Sequence, residues 1–173
     1  MIRDVLLLTI FPGAMAFAAA TDLFTMTVPN RLVLVLTAGF FILAPMVGLT
    51  WSDIGLHVAL AAAALLVTFG LFSKGWIGGG DAKLFAATCL WLGPGAMLAY
   101  SIYAALLGGA LTLLLLQARQ WPLPHVLGSQ PWLLKLHDKE TGIPYGIALA
   151  LGALMIYPQT EWIRAIDLAH FVQ

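Results

Sequence analysis

The chain has 173 residues, a formal net charge of zero and a mean hydropathy of +0.95. It is 61% hydrophobic and only 9% charged, against about 25% charged residues in an ordinary soluble domain. These values exclude a nucleic-acid surface, which needs a basic patch, and predict one membrane-embedded domain over residues 1–173.

The charges fall in sparse clusters between uncharged tracts at 5–21, 32–52, 54–73, 84–118 and 141–160. Most of these reach the roughly 20 residues that a helix needs to cross about 30 Å of hydrocarbon, and none alternates as a membrane barrel strand would. The expected fold class is all-α and polytopic, with six transmembrane spans at about 4–20, 31–49, 54–72, 82–92, 96–117 and 142–158. The first span also has a short apolar core followed by Ala16-Phe17-Ala18, the pattern of a cleavable leader. Asp4 cancels Arg3 in its leading region, so we read it as a retained span. Thr50-Trp51-Ser52-Asp53 reads as a turn into the third span, with Ser52 or Asp53 as its cap.

The 84–118 tract has 35 residues and would exceed about 50 Å as one helix. Gly93-Pro94-Gly95 divides it, predicting a hairpin between spans four and five. The stretch 118–141 contains Trp121, Pro122, Pro124, Pro131 and Trp132 and reads as an irregular segment at the membrane interface. The tail places Trp162, Ile163, Ile166 and Phe171 at roughly helical spacing, predicting a short surface helix.

Positive residues test this layout. With six spans, Arg31, Lys74, Lys83, Arg119, Lys135 and Lys139 share one side, and Arg3 and Arg164 take the other. Merging spans four and five abolishes the asymmetry. The positive-inside tendency therefore favours six spans, with both termini on the periplasmic side.

Two acids stand out. Asp22 follows the first span and Asp81 opens the fourth, with two complete spans between them. An even number of crossings puts both carboxylates on one side. Acids near hydrocarbon are costly and are functional candidates by default. The bland alternatives are a helix N-terminal acid at Asp81, favoured by the dipole, and a solvated loop residue at Asp22. Gly78, Gly79 and Gly80 remove every β-carbon beside Asp81, so another backbone can approach closely. Lys83 lies two positions on, where a helix turns it away from Asp81, and it reads equally well as an interfacial lysine. Cys89, the single cysteine, lies in an apolar tract and reads as a small buried hydrophobe.

Two carboxylates that share a proton can hydrolyse a peptide bond without a metal or a nucleophilic side chain. That suits a sequence whose histidines, His57, His125, His137 and His170, are scattered and form no zinc-ligand set. We expect no metal and no cofactor.

Gly78-Gly79-Gly80-Asp81 followed by Ala82-Lys83-Leu84 resembles the GxGD motif of bacterial type IV prepilin peptidases, which are membrane aspartic proteases. Asp22 with the later Val28-Pro29-Asn30 is similar to the pattern around their first catalytic aspartate. Ile143-Pro144-Tyr145-Gly146 is similar to their Pro-Tyr-Gly segment. The resemblance implies that Asp22 and Asp81 form the catalytic dyad. It marks Gly78, Gly79, Gly80, Lys83, Pro29, Asn30, Pro144, Tyr145 and Gly146 as motif or substrate-approach positions. The implied substrate is a prepilin with a basic leader and an apolar helix, cut at the cytoplasmic face of the bacterial inner membrane.

The larger members carry paired CxxC motifs and also methylate the new amino terminus. About ten residues separate spans one and two here, and the cysteine pairs are absent. The resemblance is therefore to the short, peptidase-only type of Flp or tight-adherence pili, with methyltransferase activity doubtful.

Two other readings stand beside this one. A GxGD protease of the presenilin type would pair Tyr-Asp with the motif and carry Pro-Ala-Leu, where this chain has Thr21-Asp22 and Pro144-Tyr145-Gly146. A small transporter or assembly scaffold would use the same two acids to bind cations or protons.

Overall fold

A computed structural model describes residues 2–123 and 130–166, and every element among them is helical. The elements are α1 (Ile2–Thr25), α2 (Asn30–Met46), α3 (Trp51–Ser73), α4 (Gly79–Ala118), α5 (Pro131–His137), α6 (Tyr145–Ile156) with a 3-10 turn (Tyr157–Gln159), and α7 (Glu161–Arg164). Of these, α1, α3 and α4 are long and apolar enough to cross a membrane, while α2 and the segment Tyr145–Gln159 are shorter apolar helices.

The burial pattern shows how the helices are arranged. In α1 the buried side chains are Leu7, Phe11, Ala14, Met15, Ala18 and Asp22 along with Asp4, so one stripe at helical spacing faces inward. Asp22 sits on that stripe. In α2 the inner face is Leu32, Leu36, Phe40 and Leu43. α3 buries only a thin seam through Ile54, His57, Ala64 and Thr68 and turns Leu66, Val67 and Phe69 outward. The start of α4 is different: Ala82, Leu84 and all of 86–93 are buried. An apolar helix enclosed on all sides belongs at the centre of a bundle. α2, α3 and α6 pack on α4, and α1 packs on α2 and α6.

α4 is not one rod. Gly93 has φ 68° and ψ −178°, a left-handed conformation that glycine adopts without a side-chain penalty, and the chain folds back there. The Phe85 and Tyr100 rings stack with centroids 5.3 Å apart, whereas in a straight helix their α-carbons would lie about 22 Å apart. The hairpin expected at Gly93-Pro94-Gly95 is thus present, between a first arm at 79–92 and a second at 94–118.

Breaking the helix leaves carbonyls without intrahelical partners. His57 Nδ1 donates to the Leu90 carbonyl at 2.7 Å, and Trp162 Nε1 donates to the Trp91 carbonyl. A side chain at residue 93 would collide with the His57 imidazole.

Several sequence expectations need correction. The third span is capped by Thr50, not by Ser52 or Asp53: Thr50 Oγ1 accepts from the Asp53 N–H at 3.2 Å, and Asp53 Oδ2 accepts from the Thr50 N–H at 3.0 Å. This is a reciprocal capping box. Over its described residues, 161–166, the tail does not lie on the surface as a helix. α7 is a single turn, and Trp162 is 2% exposed, packed against Trp91 and Phe40; Phe171 lies outside the described residues. In the 118–141 stretch, Pro131–His137 is helical, and Trp132 makes an edge contact with Phe24 of α1. Pro124 and His125 fall outside the described residues, as does His170. Cys89 is fully buried, as its apolar setting suggests.

Candidate active site

Asp22 lies inside α1, one turn before its end, and is 4% exposed. The sequence placed it after the first span, so the helix runs further than the apolar tract alone implies. Met26 closes α1 with a positive φ of 58°. The chain then passes through Val28 and Pro29, and Pro29 caps α2 at Asn30. Val28 meets Gly80 so closely that a β-carbon there would lie 3.2 Å from the Val28 nitrogen and Cβ. The Val-Pro-Asn turn is therefore held on the glycine run, and the two motifs form one structural unit. The close backbone approach that the glycines permit is, at Gly80, made by the protein's own chain.

Asp81 is in the first turn of α4, the third residue of the helix after Gly79 and Gly80, with Gly78 as the N-cap. Its carboxylate folds back over Gly78, where a β-carbon would sit 2.8 Å from Asp81 Oδ2. Asp22 and Asp81 together line two cavities. One, of about 330 Å³, also touches Val28, Gly78–Gly80 and Lys83. The other, of about 380 Å³, is bounded by Trp76, Ile77, Ile143 and Tyr145. Both acids thus reach the same end of the bundle, with two helices, α2 and α3, between them in the chain.

The Pro-Tyr-Gly segment completes the arrangement. Pro144 caps α6, and the Gly146 N–H donates to Asp22 Oδ2 at 2.7 Å. A β-carbon at 146 would lie 2.8 Å from the same oxygen, so a larger residue would displace either the carboxylate or α6. The Tyr145 hydroxyl lies 3.0 Å from Thr112 Oγ1, with its ring against Gly108. Lys83 is at the same end of the bundle as the acids. It lines the smaller cavity with both of them, its amine donating to Asn30 Oδ1 at 2.6 Å.

Arg119 stands out in the sequence only as a positive charge. It is 6% exposed, and its guanidinium donates to the carbonyls of Leu136 at 2.9 Å and Gly142 at 3.0 Å. It thereby anchors the stretch that leads into Pro144. Lys135 likewise donates to the Thr25 carbonyl at the end of α1, at 2.9 Å. At the far end of the bundle, Arg3 donates to the Ala165 carbonyl at 2.8 Å and pairs with Asp4. Among the described residues, no group of His, Cys, Asp and Glu side chains is arranged to hold a metal ion.

This geometry can be set beside known proteins. The chain is 29% identical over 150 residues to the prepilin leader peptidase/N-methyltransferase of Bacillus subtilis (strain 168), an alignment covering 86% of this chain and 53% of that protein. The chain thus spans about half the length of that relative. No solved structure matches it significantly. Residues 9–113 match the model of the type IV leader peptidase family, a stretch that covers more than half of the chain and includes both aspartates, and the chain belongs to that family.

Proposed function

We propose that this chain is a membrane aspartic endopeptidase that removes the leader of type IV-like prepilins at the cytoplasmic membrane face, with Asp22 and Asp81 as its catalytic pair. The observation that carries this reading is that acids from α1 and α4, 59 positions apart in the sequence, line the same two cavities.

The chemistry needs one proton shared between two carboxyl groups. The ionised carboxylate takes a proton from water as its oxygen attacks the scissile carbonyl carbon. The protonated carboxyl donates to the carbonyl oxygen, giving a tetrahedral diol. Collapse of the diol breaks the C–N bond and returns a proton to the departing amine. One water is consumed, and an acid and an amine are released. The Gly146 N–H orients the Asp22 carboxylate for this work, and no metal or cofactor enters.

In this reading the chain crosses the membrane six times, with the acid-lined end in the cytoplasm and both termini in the periplasm. Arg119, Lys83 and Lys135 are tied to segments at the acid end, whereas Arg3 is held at the other, in keeping with the positive-inside tendency. The close joining of α1 and α2 by residues 26–29 supports a short, Flp-type peptidase. The proposal covers cleavage alone. The multi-pass chain would reside in the bacterial inner membrane.

The test is to incubate purified protein with a type IV-like prepilin and map the amino terminus of the product. A new terminus at the leader junction, formed equally in the presence of a chelator, is expected. No cleavage, or cleavage lost on chelation, contradicts the reading.

A further inference from the structure

A groove of about 440 Å³ opens beside the acids. One wall is Val67 and Leu71 of α3; another is Ala104, Ala105 and Gly108 on the second arm of α4; Leu149 of α6 lies deeper. Asp81 and Tyr145 also line it, and the same two residues line the larger acid-lined cavity. We propose that this groove seats the apolar helix of the prepilin and delivers the bond preceding that helix to the aspartates. The proposal rests on the peptidase reading and names where that substrate lies.

Three features argue for this occupant. The wall on α4 runs from Ser101 to Gly108, a rise of about 10 Å or two helical turns. Of these residues Ala104 and Gly108 are packed by α6, against Gly152 and the Tyr145 ring, which leaves Ala105 as the exposed part of the wall that an incoming helix would meet. Val67, at the rim, is 65% exposed, so the groove is open from the side facing lipid. Polarity also runs in the right order: the walls are apolar and the groove meets the acid-lined cavity at Asp81, matching a substrate whose apolar helix follows a basic leader.

A second groove, of about 260 Å³, lies between α2 and α3 and is lined by Phe41, Val58 and Leu65, but it ends on Lys83. Neither aspartate lines this second groove, so of the two only the first adjoins the acids.

The test uses a photoreactive amino acid introduced at Val67, or at Val58 as the comparison, in the Asp81→Asn protein, which retains uncut prepilin. Irradiation in liposomes should crosslink position 67 to the apolar segment of the prepilin and leave position 58 without that product. Crosslinks at 58 in place of 67, or only lipid adducts at 67 with prepilin in excess, overturn the proposal. Kinetics give a second arm in the otherwise unaltered protein. Ala105→Leu should raise the KM for prepilin about tenfold, the loss of roughly one good packing contact, with kcat little changed. Ala110→Leu, exposed on the same helix but outside the groove, should behave as the unaltered chain does. An unchanged KM in Ala105→Leu also overturns the proposal. If the unaltered protein does not cut prepilin at all, the peptidase reading fails; if it cuts while both arms fail, only the groove assignment falls.

Discussion

The two ends of the bundle both bury polar side chains in an apolar chain, and they do so to different effect. At the far end, His57 and Trp162 spend their N–H groups on the Leu90 and Trp91 carbonyls that the break at Gly93 releases. Those bonds close within the fold and hold a broken helix together. At the acid end, Asp22 takes one N–H from Gly146, while an ionised carboxylate can accept about four hydrogen bonds. Both it and Asp81 face cavities rather than packed side chains. Burial of a polar group is thus a weak sign of function, and unused bonding capacity beside space is a stronger one.

The largest effects are expected at the aspartates. Asp22→Asn and Asp81→Asn should each lower kcat/KM for prepilin by about 10³-fold or more, the range of a lost general acid or base. Size-exclusion profiles should stay those of a folded protein. Retained processing in either variant would place the chemistry elsewhere.

Gly146→Ala should come next. Its β-carbon would press on Asp22 Oδ2 from 2.8 Å, and displacement of a catalytic group by about 1 Å costs about 10²-fold. The loss should appear in kcat more than in KM, which single-turnover rates can separate.

At the other end the prediction reverses. His57→Ala leaves the Leu90 carbonyl without its donor, so stability should fall by about 1–3 kcal/mol, read as a lower thermal midpoint in detergent. Activity per folded molecule should change by less than about twofold, within the usual reach of a substitution distant from the site. The smallest effect is expected for Lys83→Met. Its bond to Asn30 is exposed, and such contacts contribute about 0.2–1 kcal/mol, a change in kcat/KM of no more than about fivefold.

What the sequence revealed, and what it hid, follows the same physics. The acids were legible because charges are rare in this chain and because crossing parity depends only on counting spans. The hairpin was legible because the 84–118 tract is too long for one crossing and has Gly-Pro-Gly inside it. The contact between Val28 and Gly80 was only half visible: the glycines announced a close approach, but not whose backbone would make it. The reach of α1 past its apolar tract to Thr25 was hidden, since Asp22 itself ended the uncharged run.

The bonds of His57, Arg119 and Trp162 were not legible. Each joins residues far apart in the chain, and such pairings depend on how each helix is rotated about its axis. Spacing along a single sequence does not record that rotation. Trp162 illustrates the point, because its helical spacing fits a surface helix as well as the buried plug it forms.

The central claim is that Asp22 and Asp81 act as one unit. The most direct measurement is a double-mutant comparison of residual prepilin cleavage in Asp22→Asn, Asp81→Asn and the combined variant. Groups that act together are strongly non-additive, so the combined variant should be no slower than the worse single one. Losses that multiply, or a single variant that still cuts at nearly the full rate, would contradict the account.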